Sequence, residues 1–300
     1  MKVISPTFEI WAQKPGMEGI YQQVERAGRV CYKSEDHRTD SSARPFVERM
    51  IKSQHTAMLE HGTVYLLYRD AETTCPACGN NVEVKPWQRY ERNKFSRVAT
   101  VDGCHYITTN LRVLAENQWM DDLGHLTEPL AHHERRVTVH FTTQVAITRE
   151  FNRHRANSMA EQSTRYCNYS KDKFGKEITV NLPEWVRELS ATEPSEINFM
   201  ELAKKVEEGS ADDYENWLFG NIAAERAYMN LIAAGRKPQE ARVILPLDTN
   251  TELVHTAFVS DWKHFFDLRA LGTTGAPHPD AKVLARPLYD EFCRLGLIEA

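Results

Sequence analysis

VTVHFTTQVAIT, residues 137–148, changes character at every step. Val137, Val139, Phe141, Val145 and Ile147 fall on one side of an extended chain, and Thr138, His140, Thr142 and Gln144 on the other. Period two is the spacing of a strand, so a strand is predicted over all of 137–148, in a sheet with one covered face. Working outward, TVYLLY (63–68) is also β-rich and 105–108 is a shorter candidate strand, while helices are expected over 17–30, 43–54 and 110–120. Downstream the period changes. Tyr214, Trp217, Leu218, Tyr228, Leu231 and Ile232 recur at helical spacing over 213–234, and Gly235 is a stop. Pro238 suits the first turn of a further helix that Pro246 ends. The stretches 252–269 and 279–295 continue in helical period, with Trp262, Phe265 and Phe266 read as core. Strands in the first half and helices in the second predict an α+β fold: an antiparallel or mixed sheet flanked by helices, with a helical C-terminal half. Neither repeat nor linker is visible, so residues 1–300 are read as one domain.

The 300 residues carry 37 Lys and Arg against 42 Asp and Glu, a net charge of -5, which argues against a general nucleic-acid binder. No run of eighteen apolar residues exists, so no membrane span is expected. MKVISPTFEIWAQKPG lacks the apolar stretch of a secretory signal, and six irregularly spaced cysteines are too few for a disulfide scaffold. A cytoplasmic chain with reduced thiols is expected. A turn-rich insert spans 70–94 and contains Cys75-Pro76-Ala77-Cys78-Gly79, the form of a zinc knuckle. Cys75 and Cys78 are candidate ligands of a structural zinc, with Cys104 and His105 as the missing pair; the other reading is a reduced turn without metal. Cys167 is read as a small packing residue, and His132-His133 as part of a solvated loop.

The densest polar cluster begins where the predicted strand ends. Arg149-Glu150-Phe151-Asn152-Arg153-His154-Arg155 is followed by Ser158, Glu161, Ser163 and Arg165. Four arginines within seventeen residues call for anions, and the guanidinium fork grips phosphate or carboxylate in two places at once. Ser163 and Arg165 are expected after a helical turn, where backbone N–H groups add to a phosphate site. The plain alternative is a solvated charged face with Glu150 and Glu161 as partners.

Arg153-His154-Arg155, then seven residues, then Ser163, resembles the signature of the flavin-dependent thymidylate synthases. EQSTRYCNYSKDKFG (161–175), LEHGTVY (59–65), YITTNLRVL (106–114), GRKPQEARVILP (235–246) and HFFDLR (264–269) are similar to further blocks of that family, in its order. The resemblance implies conversion of dUMP to dTMP, with methylenetetrahydrofolate as carbon donor, NADPH as reductant and tightly bound FAD, in a homotetramer whose sites draw on several subunits. It implies FAD contacts from Arg153, His154, Arg155, Thr63, Glu161, His61 and His264. It implies that Gln162, Ser163, Thr164, Arg165 and Arg242 hold dUMP, with Glu150 and Arg153 on the nucleotide side. Arg269 is the implied catalytic residue, favouring ionisation of the uracil ring. Phe258-Val259-Ser260 stands where some members have an Asn-x-Arg flavin contact, and Ala160 where many have Asn. The competing function is a non-catalytic nucleotide- or nucleic-acid-binding module, its arginines on phosphates and its insert holding a structural metal.

Overall fold

The computed structural model describes residues 1–74, 81–187 and 198–299. Its strands are β1 (Lys2–Ile4), β2 (Thr7–Trp11), β3 (Thr63–Arg69), β4 (Ala71–Thr74), β5 (Asn81–Val84), β6 (Arg97–Val101), β7 (Cys104–Asn110), β8 (Arg136–Gln144), β9 (Ser158–Glu161), β10 (Thr179–Asn181) and β11 (Asn250–Phe258). Its α-helices are α1 (Gly16–Val30), α2 (Ala43–Lys52), α3 (Gln88–Glu91), α4 (Leu111–Glu116), α5 (Val145–Phe151), α6 (Glu184–Arg187), α7 (Phe199–Glu207), α8 (Asp213–Ala233), α9 (Pro238–Ala241), α10 (Val259–Phe266) and α11 (Pro279–Arg294). The fold is α+β, as the sequence predicts.

The central sheet runs β2-β8-β11-β9 and is antiparallel throughout. Register explains its two faces. Phe8, Ile10, Val137, Val139, Phe141, Met159, Leu253 and Ala257 share one core with Trp262, Phe265 and Phe266 of α10 and Leu284, Leu288 and Phe292 of α11. The opposite face carries Thr138, His140, Glu252 and Thr256, and α1 covers part of it through Ala27 and Val30 against Trp11, Ala160 and Val254. A second sheet, β3-β7-β6, packs with α1, α2 and α4 around Val24, Val64, Leu66, Ile107 and Leu114. The parallel pair β1-β10 joins Ile178 and Val180 to Tyr228 of α8.

Two predicted elements are corrected. The strand ends at Gln144, not Thr148: Val145 and Ala146 donate to the carbonyls of Thr249 and Leu247 (3.1 Å each), and the chain turns into α5, burying Ile147 and Phe151 at helical spacing. The stretch 252–269 is not one helix. Its first part is β11, the inner strand bonded to β8 on one side and β9 on the other, and helix begins only at Val259.

His133 is not solvated. It is buried, accepting from the Leu130 N–H at Nδ1 (3.0 Å) and donating from Nε2 to the Leu66 carbonyl (3.0 Å), and burial lowers its pKa. Cys75 and Cys78 lie outside the described residues. Their suggested partner His105 already uses both ring nitrogens, on Asp70 Oδ1 (2.7 Å) and Thr100 Oγ1 (2.9 Å), and stacks on Trp87 at 3.7 Å. Among the described residues no cluster of His, Cys, Asp and Glu could hold a metal, and no helix is long and apolar enough to cross a membrane.

Candidate active site

The segment from Arg149 to Arg165 wraps the edge strand β9, and three groups of side chains stand around it. The first is built on Arg269, in a π-helical turn (Asp267–Leu271) that continues α10. Such turns are rare and rotate side chains off the helical register. Arg269 Nη1 donates to Glu150 Oε2 (2.6 Å), Nη2 to the Glu150 carbonyl (2.9 Å) and Nε to His154 Nε2 (3.3 Å). One N–H remains on each terminal nitrogen. His154 is buried; burial, then the charges of Arg269 and His264, lower its pKa to about 4. It is therefore a neutral ring with its proton on Nδ1. These groups, with Arg153, His264 and Leu268, line a cleft of about 710 Å³.

The second group lies on the polar face of the sheet. His61 is fully buried; its Nδ1 hydrogen-bonds Thr256 Oγ1 (2.8 Å), which reaches Thr138 Oγ1 (2.8 Å). Its Nε2 is buried without a partner. Burial, then the charge of Arg136, lowers the pKa of His61 to about 3. Arg136 binds the Glu60 carbonyl (3.0 Å), Thr63 Oγ1 (3.2 Å) and Ser158 Oγ (3.2 Å), so one guanidinium ties the His61-to-Thr63 segment to β9.

The third group follows β9. Glu161 accepts from Thr148 Oγ1 (2.7 Å) and Asn152 Nδ2 (2.9 Å). The Gln162 N–H donates to the Glu252 carbonyl (2.8 Å), and the Ser163 N–H to the Cys31 carbonyl (2.9 Å). Ser163 Oγ accepts from the Arg165 N–H (3.3 Å), and Arg242 Nη1 donates to Thr164 Oγ1 (3.2 Å). The expected helical turn before Ser163 is instead strand β9. Beside Gln162, a cleft of about 380 Å³ is lined by Lys33, Thr142, Lys173 and Glu252. Burial would raise the pKa of Glu252, but the hydrogen bond from His140 (3.0 Å) and the ion pair with Lys33 hold it low.

Glu150, Arg153, His154, His264 and Arg269 thus come together, as do His61 with Thr63 and Thr164 with Arg242. Among the described residues, Glu150, Arg153, His154, His264 and Arg269 line one cleft, Thr63 and Arg136 a second, and Gln162 and Glu252 a third. Arg155 lines a small cleft with Arg97 and with Arg136 of the second group. Sequence reasoning missed Arg136, Lys33 and Glu252. A cation opening a strand of alternating apolar residues was the signal for Arg136.

The fold and site define a protein with guanidinium groups gathered along one sheet edge. Residues 104–295 match the family model described as thymidylate synthase complementing protein. The chain belongs to that family, the flavin-dependent thymidylate synthases. Relatives include the flavin-dependent thymidylate synthases of two strains of Tropheryma whipplei, TW08/27 and Twist. Each is 27% identical over 151 residues, or 47% of this chain, and 55% and 54% of their own lengths are covered. The chain spans about half the length of these curated relatives. Among solved structures, the UMP/dUMP methylase PolB from Streptomyces cacaoi bound with 5-Br dUMP aligns at a TM-score of 0.42 and 16% identity, over 98% of this chain and 93% of that one. The same enzyme bound with 5-Br UMP gives 0.43 and 15%, over 98% and 92%.

Proposed function

We propose that this protein methylates dUMP to dTMP as an FAD-dependent thymidylate synthase, with methylenetetrahydrofolate as carbon donor and NADPH as reductant. The observation that carries this reading is a set of unneutralised guanidiniums inside the family-matched span. Among the described residues, Arg153, Arg155 and Arg165 have no carboxylate within ion-pair distance, although 42 acidic residues are present in the chain. Such a donor set fits phosphate-bearing ligands, the cofactor included. The unpartnered, buried Nε2 of His61 beside Thr63 adds a polar atom awaiting a ligand on the flavin side. Arg153, His154, Arg155, Glu161, Thr63, His61 and His264 would hold FAD, which when bound supplies hydride chemistry that no side chain offers.

The chain's own residues bind and orient. Arg165, with Thr164 and Arg242, anchors the nucleotide phosphate, while Gln162 and Ser163 are fixed by backbone bonds beside it. Glu150 locks the Arg269 guanidinium, so its free N–H groups are preorganised for charge developing on the uracil ring. A thiol route is disfavoured by the thiols near this segment. Cys167 is fully buried and burial raises its pKa; Cys31 is pushed up to about 11 by burial. Separation of the three groups within one chain supports sites completed by neighbouring copies in a homotetramer, and the enzyme is assigned to the cytoplasm.

Purified protein is expected to be yellow, to bleach with NADPH without oxygen, and to release tritium from 5-tritiated dUMP when methylenetetrahydrofolate is present. A colourless protein that cannot be reconstituted with FAD would overturn the reading, as would absence of tritium release from the reconstituted protein.

A further inference from the structure

The turn that ends α1 holds Lys33 at a φ of +49°, in the left-handed region where glycine is the usual occupant. Glycine would close the turn with less strain, so what lysine adds there is its side chain. The Lys33 ammonium ion-pairs with Glu252 of β11 and stands 3.7 Å from Glu35. Glu252 is buried, and its other carboxylate oxygen meets His140 Nε2 at 3.0 Å. The His140 ring is itself stacked on Trp11, with centroids 4.7 Å apart. Both oxygens of Glu252 are therefore fixed, one by α1 and one by β8.

The same two places in the chain hold the backbone of the Gln162–Ser163 segment. The Glu252 carbonyl accepts from the Gln162 N–H (2.8 Å), and the Cys31 carbonyl, two residues before Lys33, accepts from the Ser163 N–H (2.9 Å). Lys173 Nζ donates to the carbonyls of Tyr32 (3.2 Å) and Lys33 (3.0 Å), which ties the same turn to the chain beyond Ser163. Consecutive amides of one segment thus hang from two elements, and the Lys33–Glu252 pair joins those elements beside them. Without the lysine, a buried carboxylate must draw in water or shift, and the Glu252 carbonyl that carries Gln162 shifts with it.

We infer that Lys33 and Glu252 are positioning residues: their ion pair clamps α1 to β11 and so sets the Gln162 and Ser163 amides, and the side chains they carry, for the nucleotide. The nucleotide part rests on the proposed function. Amide hydrogen exchange on the full-length protein tests the clamp without a ligand, and calorimetry with dUMP tests its consequence. Lys33→Met and Glu252→Gln are each expected to speed exchange at Gln162 and Ser163 about tenfold or more, while α8 exchanges as in the wild type. Each should weaken dUMP binding about tenfold, a usual size for coupled neighbours, and raise KM for dUMP with kcat within about twofold. Lys33→Arg keeps the charge, and the 31% exposed side chain borders a cleft with room for the longer group. It should therefore return both readouts close to wild type, which separates a lost ion pair from a damaged fold. If Glu252→Gln fails to fold, the two Lys33 variants carry the test, because the lysine is the more exposed partner. Unchanged exchange at the two amides in Lys33→Met overturns the clamp, as does exchange that rises equally in α8. Faster exchange with unchanged dUMP affinity overturns the link to the nucleotide. Wild-type protein that binds no dUMP overturns the proposed function, and the exchange result then decides the clamp by itself.

Discussion

In the proposed function Arg269 and Arg165 do different work because their surroundings differ. Arg269 is largely buried, held by Glu150 and His154, and spends no reorganisation when charge develops beside it. Arg269→Ala is expected to lower kcat roughly a hundredfold to a thousandfold with a smaller change in KM. Arg165 is exposed, its guanidinium 5.3 Å from the Tyr166 ring, and in the proposed function it is a ground-state anchor. Arg165→Ala should raise KM for dUMP about tenfold or more and leave kcat within a few-fold. Steady-state kinetics with varied dUMP checks both, and unchanged turnover in the Arg269 variant would remove its assigned role. Of the residues around β9, the arginines were visible in the sequence because clustered guanidiniums need anions. Arg136 left only the weak signal of a cation opening an alternating strand, which does not announce that it clasps Thr63 and Ser158 from a distance of tens of residues.

Elements set where these side chains point. The π-helical turn carrying Arg269 ends at Gly272, whose φ of +71° favours glycine, and an added Cβ would sit 2.9 Å from Pro277 Cδ and 3.0 Å from the Gly275 carbonyl oxygen. Gly272→Ala should cost about 1–2 kcal/mol and lower kcat, because relief of strain moves the turn. Asp212 is the counter-example. It caps α8 through a reciprocal box with Glu215, far in sequence from the arginines. Asp212→Ala should cost about 1 kcal/mol and leave turnover unchanged. Thermal melts beside dUMP kinetics distinguish the two, and loss of stability without loss of turnover in the Gly272 variant would break the link to Arg269. Elements also show why part of the fold was illegible. Leu253, Val254, Ala257 and Phe258 are spaced i, i+1, i+4 and i+5 and run on into Trp262, Phe265 and Phe266, which suits a helix. They form a strand because β11 is buried on both faces and bonded on both edges, so alternation is not required of it. In β8 the opposite happened. Val145 and Ile147 extend the alternation by coincidence, while contacts with Leu247 and Thr249 turn the chain.

Across the whole molecule, buried neutral histidines couple stability to pH. His61 and His154 are depressed to about 3 and about 4, and His255, fully buried, lies well below its ordinary 6.5. In the unfolded chain each would titrate near 6.5, so below that pH the unfolded state binds more protons and stability falls. The contribution is full above about pH 7 and is lost as pH drops toward 4, at about 1.4 kcal/mol per pH unit for each ring in the window. Urea midpoints measured from pH 8 to pH 5 should be flat at first and then decline steeply, and His255→Gln should shallow the decline. A midpoint unchanged between pH 7 and pH 5 would contradict this. The inner position of β11 has a consequence for biosynthesis. Both of its sheet partners, β8 and β9, precede it in the chain by about ninety residues or more. At ribosomal speeds, roughly 5 to 20 s separate the end of β9 from residue 250, and the segment bearing Arg153 and Arg155 has no strand partner for β9 in that time. The nascent chain therefore exposes the β8 and β9 edges until residue 250 and those after it are translated, which makes the ribosome-bound stage, not the finished protein, the point at which aggregation and chaperone capture compete with assembly.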